Sequence, residues 1–275
     1  NAEVRRSRRL VISSIVTVGN YEYGFYWYLY MDGVIEFEIK ATGSINTTAC
    51  NPGKPSKYGR EVAPGVVGQI HQHFFCARLD MSIDGDKNSV IEVNTRQEDS
   101  DKNPYGNAFF ENECVIEKET GRKSNPQTQR YWKFINPNKL NHVGSATAYK
   151  LEPKSCITPF LNPQSPSGKR STFINNDLWL SAYDSEERYP AGTFVNHSDG
   201  SDGIASYVEQ ERSIENSDIV AWHVFGLHHQ PRPEDFPIQS CVTCGFILMP
   251  SGFFDSNPCL DLPSTSNTAS CHANK

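Results

Sequence analysis

A large antiparallel β-sandwich with little helix is the fold this sequence predicts. Three observations predict it. Short stretches rich in β-branched and aromatic residues recur along the chain, and such residues fit a pleated, half-buried surface. Turn signals such as Asp32-Gly33 and Asp84-Gly85-Asp86 separate them. The best helical pattern, 204–212, is short. With 275 residues, 37% of them hydrophobic, the chain can bury a sizeable core. No linker or internal repeat divides it, so one all-β domain is expected.

The elements follow in order. Leu10 to Val16 (LVISSIV) is β-branched and apolar and reads as a buried strand. Tyr23 to Tyr30 is almost continuously aromatic, Asp32-Gly33 turns the chain, and Ile35, Phe37 and Ile39 then alternate with Glu36, Glu38 and Lys40. That is a hairpin whose second strand has one wet face. Thr42 to Gly68 is rich in Gly, Pro, Asn and Thr and reads as a long loop. Ile70 to Asp80 and Ser89 to Asn94 are strands, with polar loop from Asp99 to Asn107 and a polar connection from Gly121 to Thr128. Tyr131 to Phe134 and Tyr149 to Leu151 are short strands, with Asn136-Pro137-Asn138 as loop between them. Ser155 to Arg170 is Pro- and Ser-rich, and Phe173 to Tyr183 fits either helix or strand. Ile219 to Leu227 is strand-like, until Pro231, Pro233 and Pro237 stop regular pairing. Phe246 to Met249 is the last strand, and the Ser/Thr/Asn-rich tail beyond Leu262 is expected to fray.

Charge and cysteines narrow the function. With 26 basic and 32 acidic residues the net charge is -6, which argues against sequence-independent nucleic-acid binding. Arg5-Arg6-Ser7-Arg8-Arg9 reads as the solvated face of an edge strand. No apolar run is long enough to span a bilayer. The sequence opens at Asn1 with no visible signal peptide, as a processed or truncated product would. Ala273-Asn274-Lys275 is not a peroxisomal address. The eight cysteines are Cys50, Cys76, Cys114, Cys156, Cys241, Cys244, Cys259 and Cys271. Their even number permits structural disulfides, with Cys259 and Cys271 as expected participants. Cys241-x-x-Cys244 has no second pair and is a weak zinc signal. Asn46-Thr47-Thr48 and Asn196-His197-Ser198 are glycosylation sequons. Together they point to a secreted glycoprotein.

His71-Gln72-His73 carries the chemistry. On a strand, residues two apart leave the same face about 7 Å apart along the backbone, a natural bidentate metal site. A third ligand must come from elsewhere, and His228-His229, between a strand and the Pro231 loop, is well placed. Three imidazoles with open positions suit Cu(II) or Zn(II). His223 and His228 read as packing or surface residues.

Thr17-Val18-Gly19-Asn20-Tyr21-Glu22-Tyr23 resembles the T-x-x-N-Y-[DE]-Y signature of copper-containing amine oxidases. The resemblance continues in order through Glu38 to Gly43, His71-Gln72-His73, Arg78-Leu79-Asp80, Tyr105 to Phe109, Phe225 to His229, Pro233 to Pro237 and Phe253 to Pro258. It is closest in flavour to fungal members. It implies the family's catalytic β-sandwich, with residues 1–275 as its C-terminal part. It implies copper held by His71, His73 and His229, and topaquinone formed from Tyr21, on which a primary amine condenses as a Schiff base. Asn20 would orient the quinone ring. A second, calcium-like site (Ca²⁺ or Mn²⁺) would use Asp80, Met81, Ser82, Asp218 and Ile219, although Ser82 stands where relatives often carry Asp. The implied reaction converts a primary amine, O2 and water to an aldehyde, ammonia and hydrogen peroxide. The implied assembly is a homodimer.

One departure matters. The family's general base is an aspartate well before the cofactor tyrosine, and no Asp lies among the residues before Tyr21. Neither Asp32 nor Glu22 replaces it, because the turn and the strand explain both. Two rivals follow: a copper-binding or dimerisation remnant without turnover, and a three-histidine zinc hydrolase.

Overall fold

The computed structural model describes residues 4–196 and 198–262. Its strands are β1 (Arg9–Val18), β2 (Tyr21–Tyr30), β3 (Ile35–Gly43), β4 (Thr47–Ala49), β5 (Gly59–Ala63), β6 (Val66–Gln69), β7 (His71–Met81) and β8 (Ser89–Gln97). They continue with β9 (Phe109–Ile116), β10 (Thr120–Arg122), β11 (Tyr131–Leu140), β12 (Ala146–Pro153), β13 (Leu178–Ala182), β14 (Ile219–His229) and β15 (Gln239–Pro250). Two short helices, α1 (Pro166–Arg170) and α2 (Ile204–Tyr207), and single 3-10 turns complete the chain.

The strands form an eight-stranded sheet in the order β1-β2-β3-β15-β12-β11-β8-β9 and a four-stranded sheet in the order β10-β13-β14-β7. A three-stranded sheet, β4-β6-β5, stands beside them. All pairings between strands are antiparallel. The two larger sheets face each other as a sandwich. From the first come Tyr21, Tyr23, Phe37, Ile39, Trp132, Phe134 and Phe246; from the second, Leu79, Met81, Ala221, Phe225 and Leu227. The other face of β14 packs Val220, Trp222 and Val224 against Trp179 and Ile204. β14 is therefore buried on both faces, with only His228 exposed, and its continuous apolar run follows from that.

Several expectations change. Leu10 to Val16 is a strand, but it is exposed rather than buried: β1 is the sheet's edge, and Leu10 (60%), Ile12 (56%) and Ile15 (67%) face solvent. The apolar pattern encodes a strand that other polypeptide can cover, and nothing within the described residues does so. The long loop over 42–68 contains β4, β5 and β6. Strand β9 arises from a segment with two acidic residues, Glu111 and Glu113, that gave no strand signal. Asn136-Pro137-Asn138 lies inside β11 at a register shift. The connection over 121–128 is ordered, with Asn125 accepting from the Gln127 N–H. Helix 204–212 splits into α2 and a 3-10 turn over Val208–Gln210.

The seven described cysteines are free thiols, so no disulfide forms among them; Cys271 lies outside the described residues. The tail beyond Leu262 also lies outside them. No helix among the described residues is long and apolar enough to cross a membrane. Asp32 accepts the Val34 N–H in its turn, and Glu22 accepts the Thr17 hydroxyl, which explains both acids structurally.

His223 is wholly buried between Phe225 and Phe246, with Nδ1 donating to the Asp177 carbonyl at 2.8 Å. Burial pushes its pKa down to about 4 from 6.5. The unfolded chain then binds the extra proton between those values, so stability is full above pH 6.5 and falls towards pH 4. In denaturant titrations across that range His223 should account for about 3 kcal/mol of the loss. His223→Gln should lower neutral-pH stability and remove that part of the dependence.

Phe246 is fully buried at the sheet interface. Phe246→Ala should cost about 3–5 kcal/mol, whereas Ile15→Ser on the exposed edge should change stability by about 0.5 kcal/mol or less. Equal effects in denaturant melts would contradict the edge position of β1.

Candidate metal centre

β7 and β14 pair without a break from Ile219↔Met81 to His229↔His71. This ladder sets two ligand candidates directly opposite each other. The two-residue spacing puts His73 on the same face as His71. Across the sandwich, Tyr21 opens β2 immediately after the tight Gly19-Asn20 turn, where Gly19 takes a φ of +62°. The turn is wedged against β3: a side chain at Gly43 would meet the Asn20 carbonyl oxygen at 2.6 Å. Only glycine permits that approach.

These elements converge on one point. The Tyr21 hydroxyl lies 2.7 Å from His71 Nε2 and 2.7 Å from His229 Nδ1. Its ring centroid is 4.6 Å from that of His73. One ligand atom from each of His71, His73 and His229 lies within 4.8 Å of the others, and this is the only such group of metal-capable side chains among the described residues.

The surroundings fix which nitrogen of each ring is bare. His71 Nδ1 faces the Gln69 carbonyl at 2.8 Å. A carbonyl can only accept, so Nδ1 carries the proton and Nε2 is a lone pair. His73 Nδ1 pairs with the Tyr23 hydroxyl at 2.7 Å, and its Nε2 is buried without a partner. His229 Nε2 looks at Asp235 Oδ2, 3.7 Å away, leaving Nδ1 turned towards Tyr21 and His71. Asp235 is 1% exposed and is itself held by Arg232, whose guanidinium keeps the carboxylate pKa below its usual range. Such outer partners orient metal-binding imidazoles.

The Tyr21 hydroxyl thus has one proton and faces two imidazole lone pairs. A cation among the three nitrogens resolves that conflict, and the orphaned His73 Nε2 needs one too. The protonation states agree. Burial, then the neighbouring His71 and His229, pushes His73 down to about 4. Burial first, then His71, also lowers His229, against the pull of Asp235. Both rings are neutral near pH 7, as metal ligation requires. Burial pushes the Tyr21 phenol up to about 12, with the Gln239 amide pulling the other way. Without a metal this phenol stays protonated.

Other anticipated residues sit as follows. Asn20 is exposed, and its amide donates to Asn46 Oδ1 at 3.3 Å. Asp80 and Met81 end β7, Ser82 follows, and Ile219 opens β14 opposite Met81 with Asp218 just before it. Burial, then the charges of Asp80 and Asp86, raises the Asp218 pKa. Ser82 donates to Asp86 Oδ1 at 2.8 Å, so Asp86 joins a group that had been read without it. His228 turns outward onto Phe160 and takes no part in the triad.

Four residues at the centre carried no assigned role in the sequence: Tyr23, Gln69, Asp235 and Gln239. Tyr23 left a signal in repeating the two-residue spacing of the histidines, and Asp235 only in lying within the Pro233 to Pro237 motif. Gln239 is 4% exposed and donates to the Thr42 carbonyl at 2.9 Å, with its own Oε1 unpaired.

Comparison with known proteins gives a consistent answer. The family model described as copper amine oxidase, enzyme domain, matches residues 1–269. A histamine oxidase of Arthrobacter globiformis is 48% identical over 266 residues, covering 96% of this chain and 39% of that protein. A peroxisomal copper-containing diamine oxidase of Nicotiana tabacum is 42% identical, covering 96% of this chain and 35% of that protein. The structure of a copper-containing benzylamine oxidase from Hansenula polymorpha superposes with a TM-score of 0.92 at 31% identity, covering 96% of this chain and 42% of that one. The chain thus spans well under half the length of these relatives.

Replacing the outer partners should weaken the centre without unfolding it. Tyr23→Phe and Asp235→Asn should each lower Cu(II) affinity roughly 10-fold or more in a chelator-competition titration. Unchanged affinity in both would mean the rings are oriented by other contacts.

Proposed function

Because this chain belongs to the copper amine oxidase family, we propose that His71, His73 and His229 hold copper and that Tyr21 is the precursor of topaquinone. The complete protein would oxidise primary amines to aldehydes, using O2 and water and releasing ammonia and hydrogen peroxide. One observation carries the reading: the Tyr21 oxygen lies 2.7 Å from two of three converging imidazole nitrogens. A metal held by these nitrogens would lie beside the phenol.

Copper, when bound, would supply one-electron chemistry with O2, and the quinone an electrophilic carbonyl for the amine. The chain's own residues do the rest. The three histidines offer ring nitrogens oriented by Gln69, Tyr23 and Asp235. Tyr21, 3% exposed, keeps its ring out of water between the sheets. Asn20, next in the chain, is assigned to orient the ring in the modified form.

Proton abstraction from the amine carbon is not assigned to this chain. The carboxylate whose charge reaches Tyr21 is Asp235, and it is committed to Arg232 and His229. That favours one alternative, a copper-binding chain without turnover unless the rest of the protein supplies the base. The exposed apolar strand β1 is the surface we expect that remainder to cover. The assembly is proposed to be a homodimer. A second cation, Ca²⁺ or Mn²⁺, is proposed at Asp80, Met81, Ser82, Asp218 and Ile219, with Asp86 beside them. An extracellular location draws support from the exposed Asn46 and Asn196; the free thiols add none.

The test is a peptide mass spectrum over Tyr21 after aerobic exposure of the metal-free protein to Cu(II). The expected product has gained two oxygens and lost two hydrogens. Tyr21→Phe should still bind copper but stay colourless, and His73→Ala should form no quinone. An unmodified Tyr21 in copper-loaded protein would favour the inactive alternative, and zinc in stoichiometric amount without copper would favour a hydrolase.

A further inference from the structure

Asn46 stands where the two halves of the centre meet. The Gly19-Asn20 turn, which carries Tyr21, is held from the 43–46 segment by two contacts. The Asn20 carbonyl accepts the Ser44 N–H at 2.8 Å. The Asn20 amide donates to Asn46 Oδ1 at 3.3 Å, the one hydrogen bond that side chain makes among the described residues. From Asn46 the connection continues to the metal side. Its carbonyl accepts the Gln69 N–H at 3.1 Å, and the Gln69 carbonyl accepts His71 Nδ1–H at 2.8 Å. Ile45, 2% exposed, anchors the segment beneath Gly68.

We infer that Asn46 is a positioning residue: it fixes the Asn20 amide relative to His71, so that the turn bearing the modified tyrosine and the metal ligand keep one relative geometry. The inference rests on the reading of Tyr21 as the cofactor precursor and Asn20 as its orienter. The chemistry requires a side chain that accepts from an amide while its main chain is tied to the neighbouring sheet. Asn46 does both: its carbonyl accepts from the Gln69 N–H, and β4 begins at the next residue, pairing Thr47 with Gly68. Without the acceptor, the exposed Asn20 amide exchanges its fixed partner for water and its rotamers are released. The link to His71 runs through the main chain, so a side-chain change at 46 leaves the metal ligands in place. Asn46 is also the first residue of the sequon Asn46-Thr47-Thr48. A glycan would attach at Nδ2 and leave Oδ1 to accept.

The experiment uses the copper-loaded protein and reads two quantities: copper content, and the rate at which phenylhydrazine captures the quinone carbonyl. Asn46→Ala should retain full copper while capture slows about 3- to 10-fold, the loss of one hydrogen bond. Asn46→Asp keeps the acceptor and should restore most of the rate. Thr48→Ala removes the sequon alone and should behave as the unmodified protein. Asn20→Ala combined with Asn46→Ala should be no slower than Asn20→Ala, because both remove one interaction. Wild-type capture by Asn46→Ala, slow capture by Asn46→Asp, or slow capture by Thr48→Ala would each overturn the inference. Wild-type protein without the Tyr21 mass change would overturn the underlying reading, and the inference with it.

Discussion

The register of β7 against β14 is the constraint on which the rest depends. It sets His229 opposite His71 at one end, and Ile219 opposite Met81 at the other. A slip of one residue would turn every side chain of one strand to the opposite face. It would bury His228 and expose His229. Burial of β14 on both faces forbids that slip, because Ala221, Phe225 and Leu227 belong to one core and Val220, Trp222 and Val224 to another. The same ladder that defines the three-histidine site therefore defines the acidic group around Asp80 and Asp218. Packing energy spent on the core also fixes the geometry of both sites.

A second consequence concerns the protons. Three imidazoles with their bare nitrogens turned inward make a poor resting arrangement. Bare ring nitrogens turned towards one another gain nothing from each other, and a phenol that can donate once cannot satisfy two lone pairs. The outer partners hold this arrangement against relaxation. Gln69 presents a carbonyl, which can only accept. Asp235 presents a carboxylate kept ionised by Arg232. The Gln69 carbonyl dictates that His71 Nδ1 carries hydrogen, and the Asp235 charge, 3.7 Å away, favours hydrogen on His229 Nε2. The lowered pKa values of His73 and His229 have the same origin, since burial and mutual repulsion both disfavour a protonated ring. The centre is thus preorganised for a cation by contacts that lie one layer out, which is where metal affinity is commonly tuned.

How much of this was legible in the sequence depends on whether the signal is local. The two-residue spacing of His71 and His73, the aromatic run of β2 and the Asp32-Gly33 turn are local, and the strands and the shared face followed from them. Burial is not local. Leu10 to Val16 has the composition of a core strand, yet β1 lies at an edge, because composition records what a surface can be covered by and not whether a neighbour is present. Strand β9, with Glu111, Glu113 and Asn112, pairs with β8 through main-chain hydrogen bonds that no hydropathy pattern marks. Asp235 was visible only as part of a motif. Its role required knowing that the chain after Pro231 folds back to bring a carboxylate beside His229.

The stretch over 42–68 shows the same lesson in its sharpest form. Its glycines, prolines and asparagines spell a loop, and a loop would leave the two sheets to position the centre alone. Instead β4, β5 and β6 form a small sheet that touches each part of it. Asn46 receives the Asn20 amide. Gln69, at the end of β6, receives the His71 ring. Gly68 lies so close to Pro231, just beyond His229, that a side chain there would meet the proline ring at 2.7 Å. The turn before Tyr21, His71 and the segment after His229 are therefore bracketed by one compact element. Only the Asn46 contact needs a polar side chain; the Gln69 contact uses a main-chain carbonyl that any residue supplies, which is why composition could not mark it.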